Sequence, residues 1–234
     1  VWLQTIFSPI VSSLLFLLVL SLALGTNRSD VLGVSFLNFL APGLIAMQVI
    51  QQSFSHSSSS FMIGKIQGNI VDILYAPLSA AEVVLAVTFA SITRSFMIAF
   101  ISIIIFYFIV DFQIISFFNL ILFTFLSSFI LGAIGVVAGL WAEKFDHMAT
   151  VTNFVIVPLS FLSGTFYSID RLPEFLQIIS KANPFFYMID GFRYSFIGVS
   201  DSSISTGIIY LSILTFFSWV VAYLLYKKGY KIKT

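Results

Sequence analysis

The chain has 234 residues, of which 59% are hydrophobic, 17% aromatic and only 9% charged. A soluble domain carries about a quarter of its residues as charges, so that class is excluded, and the mean hydropathy of +1.06 points to a bilayer. A net charge of +1 signals neither nucleic acid nor an acidic partner, and zero cysteines exclude disulfides, thiolate metal sites and a cysteine nucleophile.

The sequence begins at Val1 and turns apolar at once, without the basic start and small-residue cleavage site of a signal peptide. We therefore expect a preceding stretch to be missing. Six segments supply the about 20 apolar residues that cross a hydrocarbon core: 6–24, 38–60, 83–110, 116–141, 148–168 and 206–226. The second is the weakest by hydropathy. No internal repeat or linker divides the chain, so a single domain over 1–234 is expected. An even number of spans puts both termini on one side. The tail lysines Lys227, Lys228, Lys231 and Lys233 assign that side to the cytoplasm. Lys65 and Lys144 join them there, against Arg28, Arg171, Lys181 and Arg193 outside.

Pro9 is expected to kink the first span, and Pro158 the fifth. In the second span Gln48, Gln52, Ser55 and Ser59 recur at steps of four, three and four, with Gln51, His56, Ser57, Ser58 and Ser60 beside them. Such a face is costly against lipid. It either lines a path or subunit contact, or ties helices together by hydrogen bonds.

Residues 64–77 read as a short amphipathic helix. Ile66, Ile70, Ile73 and Leu74 take one face, Lys65, Gln67, Asn69 and Asp72 the other, and Pro77 ends it. By spacing alone it could equally rest on the membrane surface. Ser79 and Glu82 form a capping-box pattern before the third span. Arg94 is the one charge well inside a span, roughly 18 Å from Glu82 along a helix. It marks a functional site or snorkels from a protruding helix end.

Gly132, Gly135 and Gly139 permit close helix approach in the fourth span. Glu143, Asp146 and His147 read as a solvated turn rather than a metal site. The segment 169–205 is far longer than a simple connection. Pro173 opens a short helix with Leu172, Phe175, Leu176 and Ile179 on one side, and Asn183-Pro184 breaks it. A second stripe of Phe185, Ile189, Phe192 and Phe196 follows. Halves of about ten residues are too short to span, which suggests a re-entrant or interfacial hairpin over 170–196. No phosphate-cradling Gly-rich loop, Gly-x-Ser-x-Gly or His-Glu-x-x-His motif occurs. No catalytic residue, metal ligand or cofactor is assigned to this chain.

Three stretches carry a family likeness: Phe39-Leu40-Ala41-Pro42-Gly43-Leu44-Ile45; then 61–78, closing in Tyr75-Ala76-Pro77-Leu78-Ser79; and Leu162-Ser163-Gly164-Thr165-Phe166-Tyr167 followed by Leu172-Pro173, Asn183-Pro184 and Gly191-Phe192-Arg193-Tyr194. With them the chain resembles the permease subunit of ABC-2 type (type V) exporters, bacterial half-permeases that work with a separately encoded ATPase. It departs at the front, where the family's basic amphipathic stretch is either absent or lies before Val1.

The resemblance implies an all-α integral membrane protein of six transmembrane helices, with a cytoplasmic coupling helix over 64–77 and an external re-entrant hairpin. Lys65, Gln67, Asn69, Asp72, Pro77 and Glu82 would serve coupling to the ATPase. Pro173, Pro184, Tyr187 and Arg193 would shape the hairpin. Gln48, Gln52, Ser55 and Ser59 would border a path between spans one, two and five of two copies, with Arg94 added by position alone. Expected partners are an ABC ATPase dimer carrying Mg-ATP, a second permease copy and membrane lipids, with no nucleic acid. The implied location is the bacterial inner membrane, and the cargo a lipid, glycan, lipo-oligosaccharide or amphipathic drug. Two other classes compete: a self-sufficient secondary transporter, and a membrane enzyme recruiting Asp170, Glu174, Asp190 and Arg193.

Overall fold

Each apolar run is helical in the computed structural model, which describes residues 2–24, 30–111 and 113–231. Arg28 and Lys233, two of the charges used above to assign sidedness, lie outside the described residues. The long helices are α1 (Trp2–Leu24), α2 (Phe36–Ile66), α4 (Ala80–Tyr107), α5 (Phe117–Trp141) and α10 (Ile204–Lys227). The short α3 (Ile70–Tyr75) joins α2 to α4. The fifth expected span is composite: α6 (Phe145–Val151), a π-helical turn (Thr152–Ile156) and α7 (Val157–Leu162). Pro158 lies in the first turn of α7, where its missing N–H is accommodated by the wider turn before it. This span stops at Leu162 rather than 168 because Gly164 turns the chain with φ +76°.

Among the described residues, five helices are long and apolar enough to cross a membrane: Thr5–Ala23, Ala80–Tyr107, Phe117–Trp141, Phe145–Leu162 and Ile204–Lys227. The chain is thus an all-α membrane protein. Of the six expected spans, α2 is the one outside this group; its 31 residues suffice in length, but its Gln, Ser and His side chains make it too polar. It occupies the centre instead, packed on α1, α4, α5 and α9. The glycines of α5 explain how closely α2 and α5 meet. A Cβ at Gly135 would stand 2.7 Å from the Phe54 carbonyl oxygen, and one at Gly139 would stand 2.8 Å from Ser58 O. Both obstacles are backbone, so the glycines set the interhelical distance.

The hairpin consists of α8 (Glu174–Ala182) and α9 (Pro184–Ile197). Asn183 ends one and caps the other, accepting from the Phe185 N–H at 3.1 Å while Pro184 starts α9. Pro173 stands just before α8 rather than inside it. At 14 residues α9 is longer than expected, and it is buried where α2, α5 and α10 converge. Its Gly191 leaves room for the Phe123 ring, which a Cβ would overlap.

Arg193 of α9 is only 1% exposed. Its Nη2 donates to Gly164 O at 2.6 Å, and its guanidinium lies 3.8 Å above the Phe39 ring. Nη1 stands 4.0 Å from Asp201 Oδ2. Asp201 in turn accepts from the Ser168 hydroxyl. Asp190 accepts from the Asp201 and Ser202 N–H groups at 2.9 and 3.0 Å, pinning the turn before α10. Asn183 donates to Leu159 O and Ser163 Oγ, tying the hairpin to α7. Asp190 and Arg193 are therefore buried in structural bonds. Both reach across to other segments.

Two outcomes test this packing. Gly135→Ala should cost about 1–3 kcal/mol by overpacking, read as a lower thermal midpoint in detergent; Gly64→Ala, where a Cβ would meet nothing nearer than Ile70 at 3.9 Å, gives the comparison for an uncrowded helical glycine. Arg193→Met leaves Asp201 and Asp190 without their cation and should cost about 3–5 kcal/mol, seen as loss of monodisperse protein on size exclusion.

Candidate functional site

The spacing on α2 predicts one polar stripe, and the structure divides it by depth. Gln48 is buried; its amide nitrogen donates to Pro9 O at 3.0 Å and to the Ser13 hydroxyl, and its Oε1 accepts from Ser102 at 3.0 Å. This one amide fastens α1, α2 and α4 together. Ser53 and Ser95 share a hydrogen bond at 2.5 Å on the same α2–α4 seam. Gln51 and Gln52, with Gln48, border a groove of about 430 Å³ closed by Ser8, Ser12, Phe16, Phe161 and Phe166 of α1 and α7, together with the loop following α7. The groove lies between expected spans one, two and five. Ser55 is exposed, and Ser59 belongs to a second space deeper along the stripe.

Arg94 reaches from α4 toward α2 and α1. Its Nη1 meets His56 Nδ1 at 3.1 Å, and its Nη2 donates to Thr5 O at 2.8 Å and to Gln52 Oε1 at 3.4 Å. The side chain therefore points toward α1 and α2 rather than along α4 to its end. It borders a cavity of about 530 Å³ with Ile6, His56, Ser59, Ser60 and Thr93.

The segment expected as one amphipathic helix over 64–77 has a different construction. Gly64 to Ile66 complete α2, Gly68 turns the chain with φ +77°, and only Ile70 to Tyr75 are helical in α3. Ala76 is extended and precedes Pro77, as the proline demands. Ser79 and Glu82 do form a reciprocal capping box on α4. Of the expected apolar stripe only Ile70 is buried; Ile66, Ile73 and Leu74 are exposed, as are Val71, Leu78 and, at 86%, Tyr75. Gln67, Asn69 and Asp72 are exposed as well.

Lys65, grouped above with the coupling residues, has a different task. Its ammonium caps the end of α5, donating to Gly139, Leu140 and Ala142 carbonyls at 3.3, 2.8 and 2.7 Å. Nearby, Lys231 pairs with Glu143 at 2.8 Å. That ammonium holds the Glu143 carboxyl below its ordinary range, and the carboxylate raises Lys231. The Glu143–His147 turn is thus tied to the chain's tail.

At the opposite end, Tyr187 packs against Tyr210 of α10 with ring centres 5.0 Å apart, so the hairpin is anchored on two sides. Sequence reasoning missed Asp201, Ser13 and Ser102. Each is an unremarkable polar residue in the sequence, and only a partner far along the chain gives it a role. Phe39, Gly43 and the Ser163–Thr165 turn appeared as separate motif fragments. Around Arg193 they converge: a Cβ at Gly43 would lie 2.8 Å from Thr165 O and 3.1 Å from Arg193 Nη2.

Comparison with known proteins agrees with this geometry. The family model described as ABC-2 type transporter matches residues 1–197, a stretch ending with α9 and containing both the stripe and Arg193. The chain is 32% identical over 219 residues to the inner membrane transport permease YadH of Escherichia coli K12, covering 93% of this chain and 86% of that protein. It is 24% identical to nodulation protein J of Rhizobium leguminosarum bv. viciae, covering 84% and 76% respectively. Nodulation protein J of Neorhizobium galegae is 25% identical, covering 86% and 78%. With the family model matching well over half its length, this chain belongs to the ABC-2 type transporter family.

Proposed function

We propose that this chain is the permease half of an ATP-driven exporter in the bacterial inner membrane, with ATP hydrolysed on a separate ATPase dimer. The observation that carries the proposal is the exposed α3 region. Ile66, Val71, Ile73, Leu74, Tyr75 and Leu78 lie uncovered at one end of the bundle, interleaved with Asp72 and Asn69. An apolar patch of this kind rimmed by polar groups marks a protein contact. The end that bears it also bears Lys65, Lys144, Lys227, Lys228 and Lys231, which supports a cytoplasmic position. An ATPase seated there would push on α2 and α4 together, because α3 joins them through one glycine turn and one proline turn.

In this reading α2 is a sixth span, and the groove bordered by Gln48, Gln51 and Gln52 faces a second permease copy across the path. Cargo with an apolar body and polar groups suits a wall of glutamines and serines flanked by phenylalanines. The outward direction follows the family likeness, and the hairpin of α8 and α9 then closes the external side. A secondary transporter would want a coupling carboxylate at mid-membrane, whereas the polar stripe carries amides, hydroxyls, His56 and Arg94.

Replacing Leu74 and Tyr75 together by Asp should reduce copurifying ATPase about tenfold or more, the scale of losing one aromatic anchor, while membrane insertion stays intact. Undiminished copurification would place the ATPase elsewhere. Gln51→Leu should alter cargo transport while leaving thermal stability close to wild type. Gln48→Leu should instead lower the thermal midpoint, because three hydrogen bonds between helices depend on that amide.

A further inference from the structure

The cavity beside Arg94 has a chemistry that transport along the α1–α2–α7 groove does not use. Among the described residues no carboxylate lies within ion-pair distance of Arg94, so its charge is balanced only by carbonyl, amide and imidazole partners. Its Nε is buried and has no hydrogen-bond partner. A guanidinium only donates. His56 Nδ1 therefore accepts, and the ring proton sits on Nε2, a second donor. The hydroxyls behave oppositely. Ser59 and Ser60 donate to His56 O at 3.2 and 2.7 Å, and Thr93 donates to Phe89 O at 3.0 Å. Their protons are engaged in the helices, and what they offer the cavity is oxygen lone pairs. The space thus holds a cation and an imidazole donor together with a row of acceptors, which suits an anion that also bears hydroxyl groups.

Depth narrows the class further. Counting back from Leu24, the about 20 residues needed to cross hydrocarbon reach Thr5, the residue whose carbonyl binds Arg94. Arg94 therefore stands at the boundary where α1 meets the headgroups. On α2 the same count from Phe36 reaches His56, about 30 Å along that helix, so the partner of Arg94 on α2 stands at the same level. From the cavity two exposed apolar rows lead toward the bilayer centre: Phe7, Val11 and Leu15 on α1, and Met97, Phe100 and Ile104 on α4. Both keep helical spacing on one face, as acyl chains lying along them require.

We propose that this cavity binds the headgroup of an anionic glycerophospholipid, its phosphodiester against Arg94 and its free hydroxyls on Ser59, Ser60 and Thr93. The site is a lateral one. None of the residues lining it borders the neighbouring groove, which Arg94 touches only through Gln52.

Native mass spectrometry of the full chain, delipidated in detergent and offered equal phosphatidylglycerol and phosphatidylcholine, tests the assignment. Wild type should retain phosphatidylglycerol over phosphatidylcholine by about tenfold, the scale of one charge-assisted hydrogen bond. Arg94→Gln should bring the ratio near one, and Arg94→Lys should keep most of the preference. Equal retention of both lipids by wild type overturns the proposal, and so does an undiminished preference in Arg94→Gln. If Arg94→Gln does not fold, the wild-type ratio and Arg94→Lys decide alone. Free glycerol 3-phosphate is the remaining arm: if it competes as well as the lipid at equal concentration, the site is one for a soluble anion and the lipid assignment falls.

Discussion

A guanidinium placed where neither water nor lipid headgroup can reach it must be satisfied by protein, and Arg193 meets that demand by drawing four segments together. Phe39 of α2 lies under it, the Gly164 carbonyl caps it, and Asp201 supplies charge from the turn before α10. The same turn is bound by Asp190, one helical turn earlier on α9. Removing solvent from these groups is expensive, and the cost is offset only while all of them stay in register. The hairpin end of the bundle is consequently fixed as one piece. A helix of 14 residues, too short to cross the membrane, is held there by bonds to neighbouring helices and turns.

A second constraint acts on α2. Its amides and hydroxyls cannot face hydrocarbon without loss, so the least apolar long helix becomes the most enclosed. The α5 glycines allow one flank to close to backbone contact, and Gln48 links the other flank to α1 and α4. Polarity and burial go together here for a reason specific to membranes: the lipid is the apolar solvent, and the protein interior is where hydrogen bonds are made.

These two constraints leave the molecule unequal from end to end. At the hairpin end, bonds cross between α2, α7, α9 and α10. At the other, α3 hangs between two long helices by a glycine turn and a proline turn, with its apolar side chains beyond Ile70 uncovered. A force applied at α3 would be passed to α2 and α4 and resisted at Arg193. That is a suitable arrangement for a permease driven by a separate motor. The tie of Lys65 to the end of α5 would carry the same displacement into the centre of the bundle.

The sequence by itself determined the elements whose causes are local. Apolar runs of span length, the capping box at Ser79 and Glu82, the breaks at Pro77 and Asn183-Pro184, and the small-residue face of α5 all depend on neighbours within a turn or two. The membrane class follows from composition alone, and the family motifs brought the remainder of the fold into view. Tertiary structure decided which way side chains point and whom they meet. Lys65 was grouped by helical phase with a docking face and instead caps α5. Ile73 and Leu74 share a stripe with Ile70, yet only Ile70 is buried. Arg94 could have reached for water but turns to His56 and Thr5. For Lys65 and Arg94 the deciding partner lies 38 residues or more away. Helical periodicity specifies a face, but only the packed neighbours specify what that face meets, and in this chain they also placed its most polar long helix at the centre.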